Sequence, residues 1–182
     1  MSTPLTKIAW DSNIVIDCLQ KKQPRYQWIS PMLLEAEAGN LLIVISAISI
    51  METTRIDGKE VHEHDDLVTA FFDKPYVELH AGHRKIAEIA RAIRIKHDVD
   101  GADSIHLATA AITDTQIFLT NDGDAQRQRN KGKNPTPLLP HDGKIKIPSG
   151  VLRIMTPESY DKMCQTAAHP IYADVINKPT SG

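Results

Sequence analysis

Short apolar runs alternate along the chain with longer segments that are amphipathic or rich in Ala and Leu. The apolar runs predict strands at residues 8–10, 41–45, 76–79, 116–119 and 151–155. The longer segments predict helices at 13–19, 26–38, 46–55, 66–72, 83–96 and 101–112, with a last helix after Thr156. Because strands alternate with helices, the pattern predicts an α/β fold with a mostly parallel sheet.

Residues at the element boundaries support these assignments. Pro31 is expected to begin or kink the helix at 26–38, and Gly39 is expected to end it. Thr156 is expected to cap the last helix, with Pro157 at its first helical position.

Three segments lack a periodic pattern. Residues 56–66 are predicted to form a polar loop, and the polar, Pro-rich residues 130–150 an irregular insertion loop. Residues 167–182 are predicted to be a loose C-terminal tail. Residues 1–166, which include the first two of these segments, have a length that fits one domain.

The composition indicates a folded protein without a strong overall charge. Of the 182 residues, 41% are hydrophobic, which excludes a disordered chain. The formal net charge of −2 provides no global basic field for duplex nucleic acid, but it does not exclude an enzyme that touches a few phosphates.

The cysteines and the termini bear on the compartment. Cys18 and Cys164 form no CxxC motif and indicate no secreted disulfide framework. The N-terminus lacks the apolar core of a signal peptide, and no apolar run approaches the roughly 20 residues of a membrane span. The sequence therefore predicts a cytoplasmic protein with no membrane contact.

An aspartate interrupts the first apolar segment. Asp11 follows the strand at 8–10 and precedes an apolar helix, and a buried carboxylate is costly unless it is paired, hydrogen-bonded or bound to a metal. Asp122 follows the strand at 116–119 in the same way. Because ligand sites in open α/β sheets form beyond the carboxyl ends of the strands, both acids are expected at one edge of the sheet.

Two further acids occupy helical positions that are compatible with the same edge. Glu52 has apolar neighbours in the helix after the second strand, and Asp103 lies in the first turn of the helix at 101–112. Four ionised acids at an apolar edge would repel one another unless a cation neutralised them. Because Mg²⁺ and Mn²⁺ prefer carboxylate and water oxygens, the set predicts a metal site.

Each acid also has a simpler interpretation. Asp103 is compatible with a charge that only stabilises its helix N-terminus, and Glu52 with a solvated helix face. Asp122 and Asp124 flank Gly123 and are compatible with turn formation. Asp11 is the hardest to explain without a ligand, and the ordered set is a stronger indication than any single member.

The acids lie in four short motifs that follow one another along the chain: D-S-N at 11–13, S-x-x-x-x-x-E at 46–52, D-S-I-H-L-A-T-A at 103–110 and L-T-N-D-G-D at 119–124. This ordered set resembles the PIN-domain ribonucleases, which include the VapC-type toxins of toxin–antitoxin systems. It spans roughly residues 7–128, and the strand and helix after Gly150 look like the family's usual ending.

The resemblance implies a three-layer α/β/α sandwich with a mostly parallel central sheet. It also implies that one or two Mg²⁺ or Mn²⁺ ions are bound by four catalytic acids, Asp11, Glu52, Asp103 and Asp122. Asp124 would be a fifth acid at the metal. Asn13 and Thr120 would not bind the metal themselves but would orient the carboxylates or metal-bound water. For His106, one turn after Asp103, contact with substrate or a carboxylate and simple packing both remain open.

The implied activity is endoribonuclease cleavage of single-stranded or structured RNA by metal-activated water, which leaves a 5′-phosphate. The implied partners are the RNA substrate, an antitoxin protein and a second copy of the chain. Arg127 and Arg129 follow the last acidic motif and are expected to contact phosphate, although an ordinary solvated loop is equally compatible with them.

Two other hypotheses remain open. A metal-dependent phosphotransfer enzyme would need an aspartyl nucleophile, typically in a D-x-D-x-T motif, but Asn13 stands where the second aspartate would be. A non-catalytic RNA-binding or interaction module with the same fold is the main alternative, and Mn²⁺ titration distinguishes it from a nuclease. A dinucleotide-binding domain is disfavoured, because no G-x-G-x-x-G motif follows the first strand.

Overall fold

A computed structural model describes residues 5–56, 59–60, 64–122, 143–147 and 150–166 of the chain. The strands in these ranges are β1 (Thr6–Trp10), β2 (Leu41–Ser46), β3 (Arg55–Ile56), β4 (Lys59–Glu60), β5 (Val77–His80), β6 (Ile117–Leu119), β7 (Lys144–Ile147) and β8 (Gly150–Met155). The helices are α1 (Ser12–Leu19), α2 (Tyr26–Glu37), α3 (Ile48–Glu52), α4 (Asp65–Phe72), α5 (Arg84–His97), α6 (Gly101–Ile112) and α7 (Pro157–Thr166).

Six strands form the main sheet in the order β5-β2-β1-β6-β8-β7. All neighbouring pairs are parallel except β7, which pairs antiparallel with β8 at one edge. The chain runs from β1 outward through β2 to β5, and then crosses to β6 on the other side of β1. The point between β1 and β6 is therefore a topological switch point, where ligand sites of α/β sheets form.

Alternating side chains of the central strands reach two separate cores, one on each face of the sheet. Ile8 and Trp10 pack with buried residues of α1, α2, α4 and α7. Ala9 packs on the opposite face with buried residues of α5 and α6. The predicted three-layer α/β/α sandwich with a mostly parallel sheet is therefore confirmed.

Capping residues mark the end of one helix and the start of another, as predicted. Gly39 follows α2 with a φ of +79°, a left-handed conformation that favours glycine. The backbone N–H of Ser159 donates to Thr156 Oγ1 at 3.1 Å, and α7 begins at Pro157. Pro31, expected to begin or kink its helix, lies inside α2.

Several predicted boundaries were wrong. The helix predicted at 46–55 spans only Ile48–Glu52. The polar loop predicted at 56–66 contains β4, which pairs antiparallel with β3. The irregular segment predicted at 130–150 contains β7, whose alternating exposed lysines and buried isoleucines are typical of an edge strand.

Most of the other residues that were predicted to be irregular lie outside the described part of the chain. Residues 130–142 and 148–149 of the predicted insertion loop, and the tail at 167–182, lie outside the described residues. Among the helices that are described, none combines the length and the apolar character needed to cross a membrane.

Candidate metal centre

Asp11 lies at the N-cap position of α1, directly after β1, but its side chain makes no capping hydrogen bond to the helix. Its carboxylate, in a residue only 4% exposed, instead accepts hydrogen bonds at Oδ2 from the amide of Asn13 and the hydroxyl of Thr120, the latter at 2.5 Å. Two neutral donors therefore hold one oxygen of a buried carboxylate in place, and they do not neutralise its charge.

The loop after β6 is tied to the start of α1 by the same residues. The N–H of Asn121 donates to Asn13 Oδ1 at 2.9 Å, and the N–H of Asp122 donates to Thr120 Oγ1 at 2.9 Å. Asp11 and Asp122 therefore belong to one hydrogen-bonded unit at the switch point.

Glu52 is half-buried and is the last residue of α3, the short helix that follows β2. It lies at the same edge of the sheet. Its Oε2 lies 2.5 Å from the Ser12 hydroxyl and 2.8 Å from Nε2 of His106. Ser12 also contacts Ser49 Oγ at 3.0 Å. Because Ser12 has one hydroxyl hydrogen and Glu52 offers the charged, closer acceptor, Ser12 donates to Glu52 and Ser49 donates to Ser12.

His106 joins the two acids. Its Nε2 lies 2.8 Å from Glu52 Oε2 and 3.8 Å from Asp11 Oδ1, in a residue that is 2% exposed. One ligand atom from each of Asp11, Glu52 and His106 lies within 4.8 Å of the others. We refer to these three residues as the acid–imidazole cluster.

The charges in this cluster stabilise one another. Burial opposes ionisation of Glu52, but the hydrogen bonds from His106 and Ser12 outweigh it and lower the pKa of this carboxyl. Burial also opposes protonation of His106, but the hydrogen bond to Glu52 and the nearby charges of Asp11, Glu52 and Asp103 raise the pKa of its imidazole.

The other predicted acids lie around the cluster without being members of it. Asp103 is half-buried in the first turn of α6, one turn before His106, and Asp122 is buried in the turn that follows β6. The predicted fifth acid and the predicted phosphate contacts lie outside the described residues: Asp124, Arg127 and Arg129.

Two polar residues in this region were not predicted. Ser12 bridges Glu52, Ser49 and His106, although it stands inside the D-S-N motif. Asp17 is fully buried and accepts hydrogen bonds from Asn121 Nδ2 and Arg25, each at 2.8 Å. These hydrogen bonds hold α1 against the loop that carries Asp122. In the sequence, an aspartate within an otherwise apolar helical turn could have indicated this role.

The donor set fits a divalent cation. Two carboxylates and one imidazole converge in a largely buried site, and within the described ranges no lysine or arginine forms an ion pair with Asp11 or Glu52. Buried carboxylates require a positive partner, and oxygen and nitrogen ligands of this kind suit divalent ions.

The family model of the PIN domain matches residues 8–131. The chain therefore belongs to the PIN domain family, which confirms the resemblance seen in its motifs. A comparison with curated proteins finds no match.

Solved structures share the fold at low sequence identity. VapBC2 of Rickettsia felis, bound to a DNA fragment from its promoter, is 15% identical with a TM-score of 0.53, and the match covers 83% of this chain and 98% of that one. A toxin–antitoxin complex of Klebsiella pneumoniae is 20% identical with a TM-score of 0.51, covering 82% and 97%. A sarcin-ricin loop cleaving VapC toxin of Mycobacterium tuberculosis is 15% identical with a TM-score of 0.52, covering 71% and 98%.

Proposed function

We propose that this chain is a divalent-metal-dependent endoribonuclease and the toxin of a toxin–antitoxin pair. Within a PIN domain, the observation that carries the proposal is the acid–imidazole cluster, whose three ligand atoms lie within 4.8 Å at the switch point between β1 and β6. A site of this composition at this position is suited to holding a cation next to a phosphodiester.

The proposed ligands of one or two Mg²⁺ or Mn²⁺ ions are the acids predicted from the sequence, Asp11, Glu52, Asp103, Asp122 and Asp124. When bound, such ions supply positive charge for the phosphate and acidify water for hydrolysis. The chain's own contribution is to position the ligands. Asn13 and Thr120 hold Asp11 through its Oδ2, and Ser12 holds Glu52 through its Oε2.

The proposed substrate is single-stranded or structured RNA, cut to leave a 5′-phosphate. An acidic centre needs nearby positive charge to attract a polyanion, and we assign this role to Arg127 and Arg129. We further propose that the nuclease domain extends over residues 1–166, with an insertion at 130–150 that includes the edge strand β7 and a C-terminal tail at 167–182. We also propose that it acts in the cytoplasm.

The proposed protein partners are an antitoxin and a second copy of the chain. The structural neighbours include VapBC2 and another toxin–antitoxin complex, which supports a partner of the antitoxin type. An antitoxin that places a basic side chain against the acid–imidazole cluster would neutralise it in place of a metal ion.

The test is cleavage of mixed RNA oligonucleotides with Mn²⁺ or Mg²⁺, with EDTA as a control and the cut ends mapped. Asp103→Asn is compared with Asp100→Asn, a matched control at the exposed N-cap of the same helix, where asparagine caps as well as aspartate. We expect metal-dependent cleavage that leaves 5′-phosphates, is lost in Asp103→Asn and persists in Asp100→Asn. Absence of cleavage by folded protein free of antitoxin would favour the non-catalytic RNA-binding module instead.

A further inference from the structure

We propose that His106 is itself a metal ligand, through Nε2, and that the centre therefore binds first-row transition ions such as Mn²⁺ in preference to Mg²⁺. This inference rests on the proposed function, because it concerns the ion of the same site. The sequence left open whether His106 contacts substrate or a carboxylate or is simply packed, and this inference gives it direct contact with the ion.

The distances are those of atoms that share an ion. Bonds of about 2.1 Å at right angles place neighbouring ligand atoms about 3 Å apart and opposite ones about 4.2 Å apart. Nε2 of His106 lies 2.8 Å from Glu52 Oε2 and 3.8 Å from Asp11 Oδ1. An ion held by both carboxylates would therefore be within bonding reach of this nitrogen. It would take the place of the proton that Nε2 shares with Glu52, and that proton would be released to solvent.

The imidazole is fixed where it lies. His106 is 2% exposed, it projects from the helix that packs over the sheet, and its ring centre is 6.5 Å from that of Phe118. Within the described residues, its other ring nitrogen, Nδ1, is buried and makes no hydrogen bond. Nε2 faces Glu52, Asp11 and, at 3.2 Å, the Ser12 hydroxyl. Close packing opposes withdrawal of the ring when an ion enters.

A nitrogen ligand changes which ion is preferred. Mg²⁺ favours oxygen ligands and gives up its bound water molecules reluctantly. First-row transition ions, by contrast, accept imidazole readily. A set of carboxylates alone would distinguish Mn²⁺ from Mg²⁺ much less. The ratio of the two affinities therefore reports on whether the imidazole is bound.

The first measurement uses the wild-type protein loaded with Mn²⁺ in pulsed electron paramagnetic resonance. A directly bound imidazole nitrogen gives a nitrogen modulation of the electron spin echo, and we expect to observe it. Mn²⁺ titration with Mg²⁺ as competitor then gives the affinity ratio. The spectrum requires no variant, so it decides the question even if a substituted protein fails to fold.

The variant is His106→Gln, whose side-chain amide can still donate to Glu52 but offers no imidazole nitrogen. We expect it to lose the nitrogen modulation and about tenfold or more in Mn²⁺ affinity, with a much smaller change for Mg²⁺. The matched control is His83→Gln, an exposed histidine before α5, which should change neither affinity.

Failure of this inference is distinct from failure of the proposed function. Mn²⁺ binding without nitrogen modulation, or an equal loss of both ions in His106→Gln, would make His106 a positioning residue and overturn the inference alone. A folded wild-type protein that binds no Mn²⁺ and cleaves no RNA would overturn the proposed function together with it.

Discussion

Thr120 donates its hydroxyl hydrogen to Oδ2 of Asp11 across a distance of 2.5 Å, which joins the loops that follow the neighbouring strands β1 and β6. The same hydroxyl oxygen accepts the N–H of Asp122 at 2.9 Å. Because Thr120 is fully buried, solvent does not replace these contacts when they are lost. One small side chain thus fixes two of the proposed metal ligands relative to each other.

Replacing Thr120 by valine should weaken both folding and metal binding. The change keeps the shape of the side chain but leaves a buried N–H without its acceptor, which should lower the free energy of unfolding by about 1–3 kcal/mol. The affinity for Mn²⁺ should fall by about 10- to 100-fold, because Asp11 loses a donor that orients it. Urea denaturation and Mn²⁺ titration measure the two effects.

Thr109→Val is the matched control for this prediction. Thr109 is equally buried, but its hydroxyl donates to the carbonyl of Ile105 within α6. We expect a small change in stability and none in Mn²⁺ affinity. Equal losses of affinity in the two variants would show that the Thr120 hydroxyl has no specific role at the centre.

The buried pair of Asp17 and Arg25 predicts an asymmetric response to mutation. Asp17 is fully buried, whereas the Arg25 side chain is 19% exposed. Arg25→Ala should therefore destabilise the fold by about 3 kcal/mol, because among the described residues it leaves the buried carboxylate with only Asn121 and the more distant Lys22, at 4.0 Å. Urea denaturation gives the change in free energy of unfolding.

The double variant separates charge from packing. Adding Asp17→Asn to Arg25→Ala removes the uncompensated charge and should recover a large part of the lost stability. Lys162→Ala, which breaks the exposed pair with Glu158, should cost about 0.5 kcal/mol or less. A double variant as unstable as the sum of its parts would mean that the pair acts through packing instead.

Cys18 predicts a loss of stability at alkaline pH. Burial raises the pKa of its thiol from 9.0 to about 12, although Lys21 acts in the opposite direction. Above about pH 9 the unfolded chain releases a proton that the folded chain keeps. The contribution of this thiol is therefore fully present below pH 9 and is progressively lost as the pH rises toward 12.

Cys18→Ala should remove this alkaline slope. The variant will be less stable at neutral pH, because it deletes a buried sulfur. Its stability should nevertheless fall less steeply than that of the wild type between about pH 9 and pH 10.5, by up to about 1.4 kcal/mol per pH unit. Urea denaturation across this range measures the slopes, and parallel curves would contradict the prediction.

Gly143 should tolerate no side chain. Its φ is +67°, and a Cβ built there would lie 2.9 Å from the carbonyl oxygen of Ile154 in β8. Gly143→Ala should therefore destabilise the pairing of β7 with β8 by more than the roughly 1–2 kcal/mol that the left-handed conformation alone costs. Gly39→Ala is the control, because its φ is also positive but no atom of the described part of the chain lies within 4 Å of the added Cβ. Equal losses of stability would show that the close contact relaxes freely.

Elements with a clear period were predictable from the sequence, whereas very short ones were not. The bounds of α6 match the prediction, because its small apolar residues are bounded by a capping aspartate and by threonine. The ribbon of β3 and β4 has two residues in each strand, which is too short for a pattern to emerge. In β7 the alternation of lysine and isoleucine was visible, but the surrounding proline and glycine residues obscured it.

At the site, positions marked by their local sequence were predictable, whereas contacts between residues distant in sequence were not. Asp11 was predictable because a carboxylate at the end of an apolar strand is conspicuous, and the structure places it beside Glu52 and His106. Glu52 is half-buried as expected, yet its neighbours Ile50 and Met51 are 46% and 67% exposed, so their apolar character was not the cause. The role of Ser12 was not predictable, because its partners lie 37 to 94 residues away in sequence.

The antiparallel strand β7 also affects how copies of this protein meet one another. It forms one outer edge of the sheet, and Lys144 and Lys146 project from it into solvent while Ile145 and Ile147 face the core. Docking a further strand from a second molecule there would bring ammonium groups together and strip them of water. These lysines thus oppose uncontrolled sheet extension and aggregation at this edge.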